Sequence, residues 1–83
     1  MSKSLEKDGG FDFTELARRW PSALVARDQK TLDRFSGGIL NARTLANLDA
    51  KGEGPRQKIR VGRKVAYPVD ALIDFLERRQ EMN

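Results

Sequence analysis

Residues 41–67 read NARTLANLDAKGEGPRQKIRVGRKVAY, and this stretch decides the fold. Its first half has the marks of a short helix. Asn41 is a residue type that caps helix N-termini, and Leu45 and Leu48 fall on one face. Gly52 suits the left-handed position just past a helix end. Gly54-Pro55 marks a turn, and Ile59, Val61, Val65 and Tyr67 are the apolar positions of a two-stranded ribbon around Gly62-Arg63-Lys64. The stretch holds seven Lys/Arg (Arg43, Lys51, Arg56, Lys58, Arg60, Arg63, Lys64) against two acids (Asp49, Glu53), a net of +5. The remainder has nine basic and ten acidic residues, a net of −1, so the +4 of the whole chain resides in one structural unit. A basic face of this kind points to a polyanionic partner.

Two readings of the ribbon compete. Gly62 at the first loop position favours a two-residue turn. A common apolar face requires a three-residue loop, with Val61 opposite Val65 and Ile59 opposite Tyr67, because side chains alternate with period two. The hydrophobic register is preferred, with Tyr67 expected in the core and its hydroxyl at the surface. Lys58 and Arg60 would then share the face opposite Ile59 and Val61, with Arg63 and Lys64 at the tip. Edge-strand lysines also guard against aggregation. One or two would serve that purpose, and four basic residues with no acid between Gly54 and Pro68 exceed it.

Outward from this stretch, the patterns are helical. Val69, Leu72, Ile73 and Leu76 fall at i, i+3, i+4 and i+7 and predict a helix from about Pro68 to Arg79, with Arg78 and Arg79 at its negative end. Upstream, a helix is expected from near Asp28 to about Ser36, with Leu32 and Phe35 as buried anchors and Leu24 and Val25 packed beneath it. Gly37-Gly38 breaks that helix, and Ile39 and Leu40 are expected to re-enter the core. Two helices with a tight glycine turn describe a helix-turn-helix. Phe13, Leu16, Ala17 and Trp20 form one face of a further short helix, stopped by Pro21. Asp12 with Glu15 resembles a capping box at its start. That face is read as core packing rather than a docking surface.

Eighty-three residues make one small domain. The expected organisation is a disordered tail over 1–10, one domain over 11–80 with an N-terminal extension helix over 11–21, and a tail over 81–83. The chain has no cysteine and no histidine. Disulfides, thiolate-held zinc and the commonest general base are therefore excluded, no metal or other cofactor is expected, and no catalytic residue is assigned. The carboxylates fall on separate expected helices, so an enzyme is not expected. No apolar run approaches the roughly 20 residues of a membrane span, and the N-terminus lacks a signal-peptide core. A cytoplasmic protein is expected, with no membrane and no small-molecule ligand.

The run from Ser36 to Arg79 resembles small winged-helix proteins of the phage excisionase (recombination directionality factor) type, which share a MerR-like DNA-binding fold. The residues that carry the likeness are Asn41-Ala42-Arg43-Thr44-Leu45 at a helix start and Gly52-Glu53-Gly54-Pro55 at a turn. Ile59 to Tyr67 match the wing, and Asp70 to Leu76 match the closing helix. The resemblance covers about half the chain. It implies an α+β, mainly α, winged helix-turn-helix with a two-stranded β-ribbon wing, and double-stranded DNA as the partner. It further implies self-association on DNA, an integrase or recombinase partner, and a role in site-specific excision by binding and bending DNA. A small prophage transcriptional regulator on the same fold, or a protein-interaction module such as an antirepressor, are the alternatives.

A helix-turn-helix places the early residues of its second helix near base edges. With Leu45 and Leu48 inward, Ala42, Arg43, Ala46 and Asn47 face outward. Arg43 could bond guanine and Asn47 adenine, each bidentately. Asn41 and Thr44 at the helix start and Lys51 at its end are candidates for phosphate contact, Asn41 more readily as a simple cap. Lys58, Arg60, Arg63 and Lys64 form the wing contact. The helix thus has few long side chains for reading sequence, whereas the ribbon is rich in charge.

Overall fold

The computed structural model describes residues 11–80. Four helices and a three-stranded antiparallel sheet make a small α+β domain, in the order α1 (Thr14–Arg19), β1 (Leu24–Ala26), α2 (Gln29–Ser36), α3 (Ala42–Lys51), β2 (Ile59–Val61), β3 (Lys64–Pro68) and α4 (Val69–Arg79). The tails expected over 1–10 and 81–83 lie outside the described residues. No helix among those described is long and apolar enough to cross a membrane.

The helix boundaries follow local chemistry. The Asp28 carboxylate accepts from the Thr31 backbone N–H at 3.0 Å and from its hydroxyl at 2.9 Å, which caps α2. The Asn41 side-chain oxygen does the same for α3, accepting from the Thr44 N–H at 2.9 Å. Gly37 and Gly52 close these two helices at φ 69° and 76°, a region costly for any side chain. Pro68 immediately precedes α4 with an extended ψ of 142°. At α1 the Asp12 carboxylate accepts from the Thr14 backbone and hydroxyl, while Glu15 pairs with Arg18 at 3.1 Å.

The sheet holds the largest departure from expectation. Its order is β1-β3-β2, so the ribbon carries a third strand on its far side. Val25 pairs with Tyr67 and Ala26 with Ala66. The ladder is prolonged by Arg27 N–H to Val65 O at 2.7 Å and Val69 N–H to Ala23 O at 3.0 Å. Leu24-Val25-Ala26 is too short to show any alternation. It becomes a strand because β3 offers an unpaired edge.

That third strand also settles the hairpin register. Ile59 pairs with Ala66, Arg60 with Val65 and Val61 with Lys64, across a two-residue Gly62-Arg63 turn. The three-residue loop is therefore wrong. Gly62 takes φ 62° at the first loop position, as a type II′ turn requires, and no non-glycine residue has positive φ among those described. The four apolar positions split two and two. Val65 and Tyr67 face the core, while Ile59 is half-buried on the other face and Val61 is 71% exposed. Val25 from β1 fills the place on the core face that the apolar residues of β2 were expected to take.

The core gathers Val25, Leu32, Leu45, Tyr67 and Leu72, all fully buried, with Phe13, Phe35, Leu40, Phe75 and Leu76 around them. All four periodic positions of α4 are buried. Leu16, Ala17 and Trp20 pack against this cluster as expected, and the Trp20 indole N–H donates to Leu24 O at 2.9 Å. Leu40 joins the core, but Ile39 is 66% exposed, because the turn between α2 and α3 is too tight to bury two successive side chains on one side. Inside this turn the buried Ser36 hydroxyl donates to Leu32 O at 2.7 Å and accepts from Leu40 N–H at 3.0 Å. Gln29 ties the two helix starts together, donating to Leu40 O at 3.0 Å and accepting from Ala42 N–H at 2.8 Å.

Candidate nucleic-acid interface

Arg43 and Asn47 lie on the outward side of α3 as expected, but Ala42, expected there too, packs against the core, because the first turn of α3 sits over it. Leu45 is buried and Leu48 half-buried, leaving Arg43, Thr44, Asn47 and Lys51 exposed and Ala42 half-buried. The first turn is more committed than its sequence indicates. Asn41 is engaged as the cap of Thr44, and Gln29 occupies the Ala42 amide, so two of the donors that a helix N-terminus would offer to a phosphate already have partners.

Lys58, Arg60, Arg63 and Lys64 are all exposed. The observed register changes what they share. Arg60 lies across from Val65, on the sheet face that carries Tyr67 and packs toward α3, rather than on a purely solvent face. Lys58 borders a cleft of about 330 Å³ with Asp49, Gly52 and Pro55 at the end of α3. Arg63 and Lys64 line a second cleft, about 300 Å³, with Arg27 and Asp28 at the start of α2. The cations of the hairpin therefore flank it on both sides, one group beside α3 and the other beside α2.

Charge pairing separates the interface cations from the rest. The ion pairs among the described residues use Arg18, Arg19, Arg27, Arg56 and Arg78. Arg43, Lys51, Lys58, Arg60, Arg63 and Lys64 form no ion pair among the described residues, although Lys64 shares a cleft with Asp28, and Lys58 one with Asp49 and Glu53. Arg56, counted in the basic stretch, is drawn to Asp74 at 3.3 Å. Asp28 has its pKa lowered, chiefly by the backbone N–H and the hydroxyl of Thr31 and to a smaller extent by Lys64, so it stays ionised beside the hairpin tip.

A buried polar network lies behind these surfaces. The Tyr67 hydroxyl, expected at the surface, is inside. It donates to Asp49 Oδ2 at 2.5 Å, while Arg27 Nη1 donates to the same oxygen at 2.8 Å and approaches the phenol oxygen at 3.4 Å. Burial, then the bond to Asp49, pushes the Tyr67 phenol up to about 12, so it remains a donor at neutral pH. The bond with Tyr67 is the leading cause that raises Arg27 further. A sequence signal for this existed, since Asp49 stands four residues after Leu45 and so on the inward side of α3. Gly54 is explained by it too, because a Cβ there would lie 2.1 Å from Asp49 Oδ1.

Among the described residues no group of three potential ligands is placed to hold a metal. Comparison of the chain with protein-family models, with curated proteins and with solved structures finds no match.

Proposed function

We propose that this domain binds double-stranded DNA in the manner of a winged helix-turn-helix, with α3 directed to the major groove and the β2–β3 hairpin serving as the wing. The observation that supports the reading is the set of exposed cations on α3 and the hairpin that form no ion pair among the described residues. Arg43 and Asn47 read bases; Lys58, Arg60, Arg63 and Lys64, with Thr44 and Lys51, meet phosphates. On the excisionase-type resemblance, the biological role is assistance to site-specific excision, with adjacent copies on DNA and an integrase as partner. A small regulator of transcription would use the same surface at an operator.

Titration of a labelled duplex across a salt series tests the binding. If about four or five cations neutralise phosphates, the slope of log affinity against log salt is roughly −4. A slope near zero overturns the reading. Sites selected from a random pool then separate the two roles: a tandem array at an attachment region supports excision, and a promoter operator supports regulation.

One observation favours a protein-interaction module as the second reading. An apolar cleft of about 290 Å³ is lined by Phe13, Ile39, Leu40, Leu48, Phe75 and Leu76, with Ile39 exposed at its rim. Replacing Arg63 and Lys64 with Ala weakens binding to any duplex under the first reading. Under the second it leaves the domain's binding unchanged, whereas Ile39→Ser abolishes it.

A further inference from the structure

We propose that the Arg27–Asp49–Tyr67 network is the positioning device that sets the orientation of α3 relative to the hairpin, and through it the sequence selectivity of the domain. The inference rests on the DNA-binding reading for its functional half and on geometry alone for its structural half.

Outside this network α3 is held by few contacts. The close backbone packing in the molecule is between β1, β3 and β2, between α1 and α4, and of α2 and α4 on the sheet. The α3 backbone joins none of these. Its apolar anchors are Leu45, fully buried, and Leu48 and the small Ala42, both half-buried against the core. Apolar contacts are non-directional, and the Gln29 bond to the Ala42 N–H pins only the first turn, so the rest of the helix could still roll or slide by a fraction of a turn. Asp49 removes that freedom. A single carboxylate oxygen receives Arg27 from the β1–α2 connection and Tyr67 from the middle of β3, at 2.8 and 2.5 Å. These charge-assisted bonds are short and directional. The other carboxylate oxygen is backed by Gly54, where the chain turns toward β2. Three segments that lead into the interface thus converge on one side chain of α3.

The same arrangement matters electrostatically. Asp49 is one of only two acids in the basic stretch 41–67. Turned inward against Arg27, its charge is compensated inside the domain instead of opposing phosphates along α3. Arg43 and Asn47, on the outward side, depend on the roll angle of α3 to meet base edges, since a bidentate contact tolerates little misalignment. Lys58, Arg60, Arg63 and Lys64 reach phosphates on long flexible side chains and tolerate far more.

The test uses the full chain with Tyr67→Phe, which keeps the buried ring, and Asp49→Asn, which keeps the side-chain shape. Loss of a buried charge-assisted bond corresponds to about a tenfold change. In Tyr67→Phe the amides of residues 45–49 should exchange with solvent about tenfold faster relative to those of α4. The affinity ratio between a duplex selected by the wild type and a scrambled one should fall about tenfold, with affinity for the scrambled duplex and its salt slope retained. Asn at position 49 should show the same split. Equal acceleration of α3 and α4, or parallel loss on both duplexes, reduces the network to general stability and overturns the proposal, as does a selectivity ratio unchanged within about twofold. If the wild type binds neither duplex, the DNA-binding reading fails, and the exchange measurement alone still decides whether the network positions α3.

Discussion

Helix α3 and the β2–β3 hairpin are joined through Asp49 and Tyr67 and are held by opposite means. The helix is anchored mainly through side chains, Leu45, Leu48 and Ala42 on the core, the Asp49 carboxylate, and Gln29 at its first turn, with few close backbone neighbours. The hairpin is anchored through its backbone, as β3 is bonded on both sides while the β2 side chains are left largely in solvent. A side-chain anchor is specific and fragile, and a backbone ladder tolerates substitution. The contrast indicates where a mutation should unfold the domain, where it should weaken the proposed DNA binding, and where it should do neither.

Leu45→Ala attacks the fragile anchor and should have the largest effect. Deleting a fully buried leucine costs about 3 kcal/mol, a large share of the stability of a small domain, and urea denaturation reads it directly. A loss below about 1 kcal/mol would mean that α3 is not held through its core face. Gly54→Ala comes next. The added methyl must displace the Asp49 carboxylate, and a cost of about 2 kcal/mol is expected, seen as a Tm lowered by roughly 10 °C.

On the hairpin, Arg63→Ala with Lys64→Ala should leave Tm within a few degrees. It should shorten the salt slope by about 2 and weaken binding about tenfold at low salt, as measured by anisotropy. A parallel loss of folding would break the comparison, since it would make the tip structural. Val61→Thr sharpens it further. With Val61 exposed across from Lys64, stability should change by less than about 0.5 kcal/mol; in the alternative register, with Val61 in the core, the added hydroxyl would cost more than about 1 kcal/mol.

The smallest effect concerns pH. The Asp28 carboxylate is held below its ordinary value of 3.8 by the bonds from Thr31. A folded-state pKa below the unfolded one means that the cap contributes fully above the unfolded value and is lost as pH falls through the folded one. Tm should therefore decline slightly on acidification below about pH 4, and Asp28→Ala should flatten that part of the profile.

The elements that were legible in the sequence are those whose signals are local. Asn41, Asp28, Gly37 and Gly52 mark helix ends through bonds to residues three or four positions away, and they sit where expected. The i, i+3, i+4, i+7 apolar positions of α4 needed only the helical repeat to be placed. The cations of α3 and the hairpin were also countable in advance. What the sequence did not disclose depends on partners far along the chain. Leu24–Ala26 is a strand only because β3, some 40 residues later, supplies its hydrogen bonds. Its arrival fills the core side of the sheet, which releases Val61 to solvent and lets the Gly62 turn choose the register.

By itself, then, the sequence determined where helices start and stop, which of their faces are apolar, and that positive charge gathers over 41–67. Those properties follow from backbone dihedral preferences and short-range periodicity. Only the tertiary structure decided that the hairpin turns in two residues, that Tyr67 keeps its hydroxyl inside, and that Asp49 joins Arg27 at the back of α3. Each of these is a choice between locally equivalent conformations, and the difference lies in which distant group arrives to fill a buried volume or satisfy a buried polar atom.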